Sequence, residues 1–240
     1  MLSFKQFLKE NENNSPLHLN GVNVHKAIKN HIKTNNINLY PSREDGPEKK
    51  TTFKASDIHP DLPDNLNFHL TTAKIPRDER VVGGGYIYGS HEEKEETPSN
   101  QHHIFVDYGV SETIPNKDKV QHSIDRFNTS QSRSVLAHEL GHYGRISGLP
   151  EHIRNKEFQS TAKAAGKSPS MYRKHPGELI AFESETQQLI NDAKRQKRNY
   201  IRLEPKAISF MHQAEGSGKV QKILSMIKDA GLTYNSKGYL

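Results

Sequence analysis

Ser132–Gly148 reads SRSVLAHELGHYGRISG and contains His138-Glu139-Leu140-Gly141-His142. Val135, Leu136, Leu140 and Tyr143 recur at helical spacing, which predicts a helix over about 130–143 with one apolar face. Thr129 or Ser130 offers an N-cap oxygen, and Gly144 or Gly148 offers an end. On a helix, residues four apart stand one above the other, so the imidazoles of His138 and His142 reach a common ion. Glu139, beside the first of them, places a carboxylate where it takes a proton from a water at that ion and later returns it to a leaving group.

An ion held by two imidazoles needs a third protein donor and one position left open for water. The chain has no cysteine and 14 histidines, so the donors are nitrogen and oxygen. The extended metzincin spacing asks for glycine at 145 and histidine at 148, but Arg145 and Gly148 stand there. A later helix supplies a carboxylate instead. In His175-Pro176-Gly177-Glu178-Leu179-Ile180-Ala181-Phe182, Pro176 suits a first helical turn and Glu178 falls just inside it. Leu179, Phe182, Leu189 and Ile190 are expected to face the core, leaving Glu178, Ala181 and Glu185 on another stripe. The rival third donors are Glu183, Glu185, His152 and His175.

Upstream, the periodicity changes from helical to alternating. Asn67–Ala73, Val81–Tyr88 and His103–Val110 read as strands, the last with Ile104, Val106 and Tyr108 alternating against Phe105 and Asp107. His103–Val110 is the expected edge strand for an extended substrate. Gly83-Gly84-Gly85 lacks the lysine and Ser/Thr of a phosphate loop, so a bulge or hairpin bend is expected there. Residues 40–52 and 91–100 read as loops, and helices are expected near 22–32, 176–197 and 219–230. The remaining histidines, His102 and His103 among them, are expected at the surface or satisfied within the core. The fold expectation is α+β: a small mixed or antiparallel sheet, the helix bearing both histidines, and a C-terminal helical subdomain. Residues 11–65 form an N-terminal helical and loop region, and 66–240 the main domain.

Composition narrows the class. Hydrophobic residues make up 32% of 240, and the mean hydropathy is −0.87, which predicts a compact core with long polar surface segments. No apolar run approaches the roughly 20 residues that a membrane-crossing helix needs, so no membrane partner is expected. The net charge is +6, with the densest basic patch at Lys194, Arg195, Lys197, Arg198, Arg202 and Lys206 around Tyr200. A solvated helix end is the plain reading of that patch, and non-specific DNA contact the functional one.

HELGH followed by a tyrosine and then E-x-x-A resembles the gluzincin metallopeptidases, especially those similar to anthrax lethal factor. The resemblance spans roughly residues 104–190 and implies a zincin-like fold and a zinc-dependent endopeptidase acting on a protein or peptide. It makes His138, His142 and Glu178 the ligands of one Zn2+ per chain, Glu139 the base and Tyr172 the oxyanion donor. Where that family often has an acid four residues after the ligand glutamate, this chain has Phe182, with Glu183 one later.

Residues 1–10, MLSFKQFLKE, resemble the capsid-targeting propeptides of internal head proteins in large tailed bacteriophages. That implies cleavage after Leu8-Lys9-Glu10, residence in the virion beside DNA, and delivery to the host cytoplasm, where a bacterial protein is the expected substrate. Without it, an ordinary N-terminal helix and a cytoplasmic protein are expected. The rival functions are a non-enzymatic, DNA-associated head protein and a hydrolase of cell-wall amides.

Overall fold

A computed structural model of the chain describes residues 21–42, 46–75, 82–88, 101–167, 175–203 and 218–235. The segments at 1–10 and 168–174, the latter with Tyr172, lie outside them, as does Lys206.

Alternation of apolar residues sets the sheet. In β2 (Leu66–Ile75), Leu66, Phe68 and Leu70 are buried, and in β4 (His102–Ser111) so are Ile104, Val106, Tyr108 and Val110. The two strands run parallel, Leu66 opposite His102 through Ile75 opposite Ser111, so their buried residues share one face. β1 (Glu48–Lys54) pairs antiparallel with β2, and β3 (Val82–Tyr88) antiparallel with β4, giving the order β1-β2-β4-β3.

The sheet is therefore mixed, and β4 is interior rather than an edge. β3 is the edge strand instead, because the chain passes outward to β3 and returns between β2 and β3. Its glycine triplet continues the register residue by residue, without the expected bulge. β1 begins inside a stretch expected as loop. Only Phe53 of its seven residues is buried, so an edge strand with a wet outer face leaves little apolar signal.

Helix α1 (Gly21–Thr34) sends Val24, Ile28 and Ile32 into the core formed with the sheet. A four-residue helix α2 (Ala55–Ile58) follows β1. After β4 come a 3-10 turn (Asn116–Asp118), α3 (Lys119–Phe127) and α4 (Ser130–Ser147), and α4 lays Leu136, Leu140 and Tyr143 on the same core. The Thr129 hydroxyl caps α4 by accepting from Ser132 N at 3.2 Å, and Gly148 closes it.

Helix α5 (Glu151–Lys167) leads on to α6 (Pro176–Arg195), which packs along α4. The other side of α6 builds a second core. Leu179, Leu189, Ile190 and Ala193 meet Ile201, Leu203, Leu232 and three residues of α7 (Gly218–Asp229): Val220, Ile223 and Ile227. Two short parallel strands, β5 (Tyr200–Arg202) and β6 (Thr233–Asn235), complete this C-terminal unit, so it is not purely helical. No helix among the described residues is long and apolar enough to cross a membrane.

Candidate metal centre

The spacing within HELGH puts both histidines on one face of α4, with ring centroids 5.1 Å apart. α6 brings the third donor. Its first turn is held by His175, whose Nδ1 accepts from Gly177 N at 3.1 Å, and by Pro176 at the first helical position. Glu178 follows, 2% exposed, with Oε1 3.0 Å from His142 Nε2 and Oε2 3.4 Å from His138 Nε2.

Among the described residues, His138, His142 and Glu178 form the group of three able to hold a metal, their donor atoms all within 4.8 Å of one another. Donors on a tetrahedral zinc at about 2.0–2.1 Å stand about 3.3 Å apart, close to the two separations observed. Glu178 Oε1 is also buried without a hydrogen bond, although His142 Nε2 lies 3.0 Å away. Three carboxylates, from Glu139, Glu178 and Glu185, converge on two imidazoles in a buried place, a donor set that favours a cation. The residues present fit a zinc ion.

α6 also sets where most of the rival candidates stand. Glu185 lies on the opposite nitrogen of His138, which donates from Nδ1 to Glu185 Oε2 at 3.1 Å. That bond fixes the ring so that Nε2 faces Glu178, where a bound cation would take the place of the Nε2 proton. Phe182 packs edge-to-face on the same ring, with centroids 5.0 Å apart. The site thus has an apolar contact four residues after Glu178, and its supporting carboxylate seven after. Glu183 points away and pairs with Lys222 of α7. His152 is exposed, and His175 is engaged as a helix cap with Ser160 Oγ 3.2 Å from its Nε2.

Glycine permits the close approach. A β-carbon on Gly141 would stand 2.9 Å from both Ala181 Cα and Ser184 Oγ, so the glycine of HELGH lets α6 come near enough to insert Glu178. One on Gly84 would stand 2.4 Å from Val135 Cγ1, 2.9 Å from Phe105 O and 3.2 Å from Glu139 Oε1. The bare backbone of β3 therefore lies against α4, with the Glu139 carboxylate beside it. Sequence reasoning missed this packing. A glycine inside a strand pattern, as a mark of close backbone approach, was the available signal.

Burial pushes the Glu178 carboxyl upward, but His138 and His142 outweigh it and hold the group well below the usual carboxylate range. His138 shows the reverse balance: burial lowers it, and Glu178 and Glu185 raise it well above an ordinary histidine. Glu139, 6% exposed, is raised by burial against the pull of both histidines.

His102 and His103 are both buried. His102 meets Tyr143 edge-to-face at 4.9 Å, and His69 Nε2 lies 2.9 Å from His103 Nδ1. Neither belongs to the cluster. Comparison with known families, curated proteins and solved structures finds no match to this chain.

Proposed function

We propose that this chain is a zinc-dependent endopeptidase of the gluzincin kind, with a zincin-like arrangement of β3, α4 and α6. The observation that carries this reading is Glu178 set between the two imidazole Nε2 atoms, with Glu139 turned toward the edge strand. His138, His142 and Glu178 hold the ion. A zinc ion bound there would supply Lewis-acid polarisation of a scissile carbonyl and would lower the pKa of a bound water toward about 7.

The chain's own residues do the rest. An extended peptide adds to the edge of β3 by main-chain hydrogen bonds, and the glycine triplet leaves that backbone uncovered. This places a substrate carbonyl beside Glu139. Glu139 takes the proton of the attacking water and delivers it to the departing amine. Glu185 holds His138 in the required tautomer, and Phe182 limits the motion of its ring. Tyr172 is assigned the oxyanion by resemblance alone. Residues 1–10 are read as a propeptide, so intact-mass measurement on virions should find a chain starting at Asn11.

Elemental analysis of wild type, His142→Ala and Glu178→Ala tests the centre. One zinc per chain, lost in both variants, is expected. Absence of zinc from reconstituted wild type would overturn the reading. Glu139→Gln should keep the metal and lower casein hydrolysis about 10³-fold. Full biological activity in that variant would favour the packaged head protein, and activity on peptidoglycan rather than casein the cell-wall hydrolase.

A further inference from the structure

The far end of α6 carries a feature unrelated to the metal cluster at its start. From Ala193 to Leu203 the chain reads AKRQKRNYIRL, with five cations and no acid. α6 ends at Arg195, and Lys197, at φ 53°, turns the chain into β5. Arg195 is engaged, 2.7 Å from Asp192 Oδ1. Lys194, Lys197 and Arg202 are exposed, and Arg198 is half-buried.

Tyr200 organises two of these cations. The guanidinium carbons of Arg198 and Arg202 lie 5.6 and 5.9 Å from its ring centroid, and Arg202 Nη2 donates to Tyr200 Oη at 3.4 Å. Like charges this close repel one another, and guanidinium groups held in place lose little freedom on meeting a phosphate. At about 1.5 Å per residue, Lys194 stands about 24 Å along α6 from Glu178, so a ligand here leaves the cluster open.

We propose that this surface binds the phosphate backbone of nucleic acid without regard to sequence. The cations follow one another along a helix end and a strand, which suits a continuous row of phosphates better than scattered carboxylates. The net charge of +6 assists the encounter. None of this depends on the metal centre. Lys194, Lys197, Arg198 and Arg202 supply the contacts. Four contacts give a plot of log affinity against log salt with slope about −4 on duplex and about −3 on single strands.

The test is fluorescence anisotropy of the full chain with labelled 20-nucleotide random-sequence duplex and single strand, at about 50–200 mM NaCl. The double variant Arg198→Gln/Arg202→Gln should flatten the slope by about two and weaken binding on the order of 50-fold near 0.1 M salt. Its zinc content and melting temperature should stay at the wild-type values. Should that pair misfold, Lys194→Gln/Lys197→Asn serves, since asparagine tolerates the positive φ at 197. Three results overturn the proposal: no binding at 50 mM salt, an unchanged slope in a folded variant, or displacement by polyglutamate as effective as by nucleic acid. The last would assign the patch to an acidic protein.

Discussion

The two ends of α6 carry opposite charge at opposite depth. At its start Glu178 is 2% exposed and lies between two imidazoles, while at its end Lys194 and Arg195 stand in water. Asp192 shows which variable matters. It sits at the basic end but is 1% exposed, held through Oδ2 by Arg133 Nε and Nη2, both at 3.0 Å, and by Ser130 Oγ at 2.8 Å. Depth, rather than position along the helix, decides whether a charge must have fixed partners. A buried ion deprived of its partner is strongly destabilising, and an exposed one loses almost nothing.

Breaking that comparison starts with the interior pair. Asp192→Ala leaves the Arg133 guanidinium buried with its charge uncompensated, and denaturant titration should show a loss of about 3–5 kcal/mol. A loss below about 1 kcal/mol would mean that depth is not the controlling variable.

The same interior sets an acid response through His25. Burial, reinforced by the charges of Arg133 and Lys29, lowers its pKa to about 4, against a hydrogen bond with Phe127 O that raises it. The unfolded chain takes up this proton below about 6.5 and the native chain only near 4, so the native state loses stability as pH falls through that window. The depression is worth roughly 3 kcal/mol. Denaturation midpoints measured from pH 7 to 4 should fall accordingly, and His25→Gln should flatten the fall.

At the proposed zinc site, Glu185→Gln tests a carboxylate that bonds His138 from outside the group of three. Zinc affinity measured by chelator competition should drop about 10- to 100-fold, whereas Glu178→Ala should abolish binding. Equal losses would make Glu185 a ligand. The smallest effect belongs to the exposed end, where Lys194→Ala should leave stability within about 0.5 kcal/mol of wild type by thermal melting.

What could be read in advance divides along the same line. His138, Glu139 and His142 were legible because their relation is local: once the segment is helical, 3.6 residues per turn place the side chains together. The Thr129 cap and the alternation of β4 were legible for the same reason. Pro176 and the acid two residues later marked the start of α6, but not which of Glu178, Glu183 and Glu185 would stand between the two imidazoles. That choice depends on how α6 is rotated against α4. Strand order lay out of reach as well, since the alternating pattern of β4 is compatible with either an edge or an interior place in a sheet. β1, β5 and β6 are short or polar enough to leave no periodic signal.

The sequence by itself determined a helix with two imidazoles and a carboxylate in register, a strand with one buried face, and a run of five cations without an acid. Only the tertiary structure decided that Glu178 enters between the imidazoles while Glu185 takes the far side of His138, and that β3 rather than β4 borders Glu139. The physical reason is close packing. With no β-carbon at Gly141 or Gly84, α6 and β3 approach α4 from two sides, and those contacts join residues more than 35 positions apart. Periodicity carries information over one or two turns, and the site is assembled across distances that only a packed core can specify.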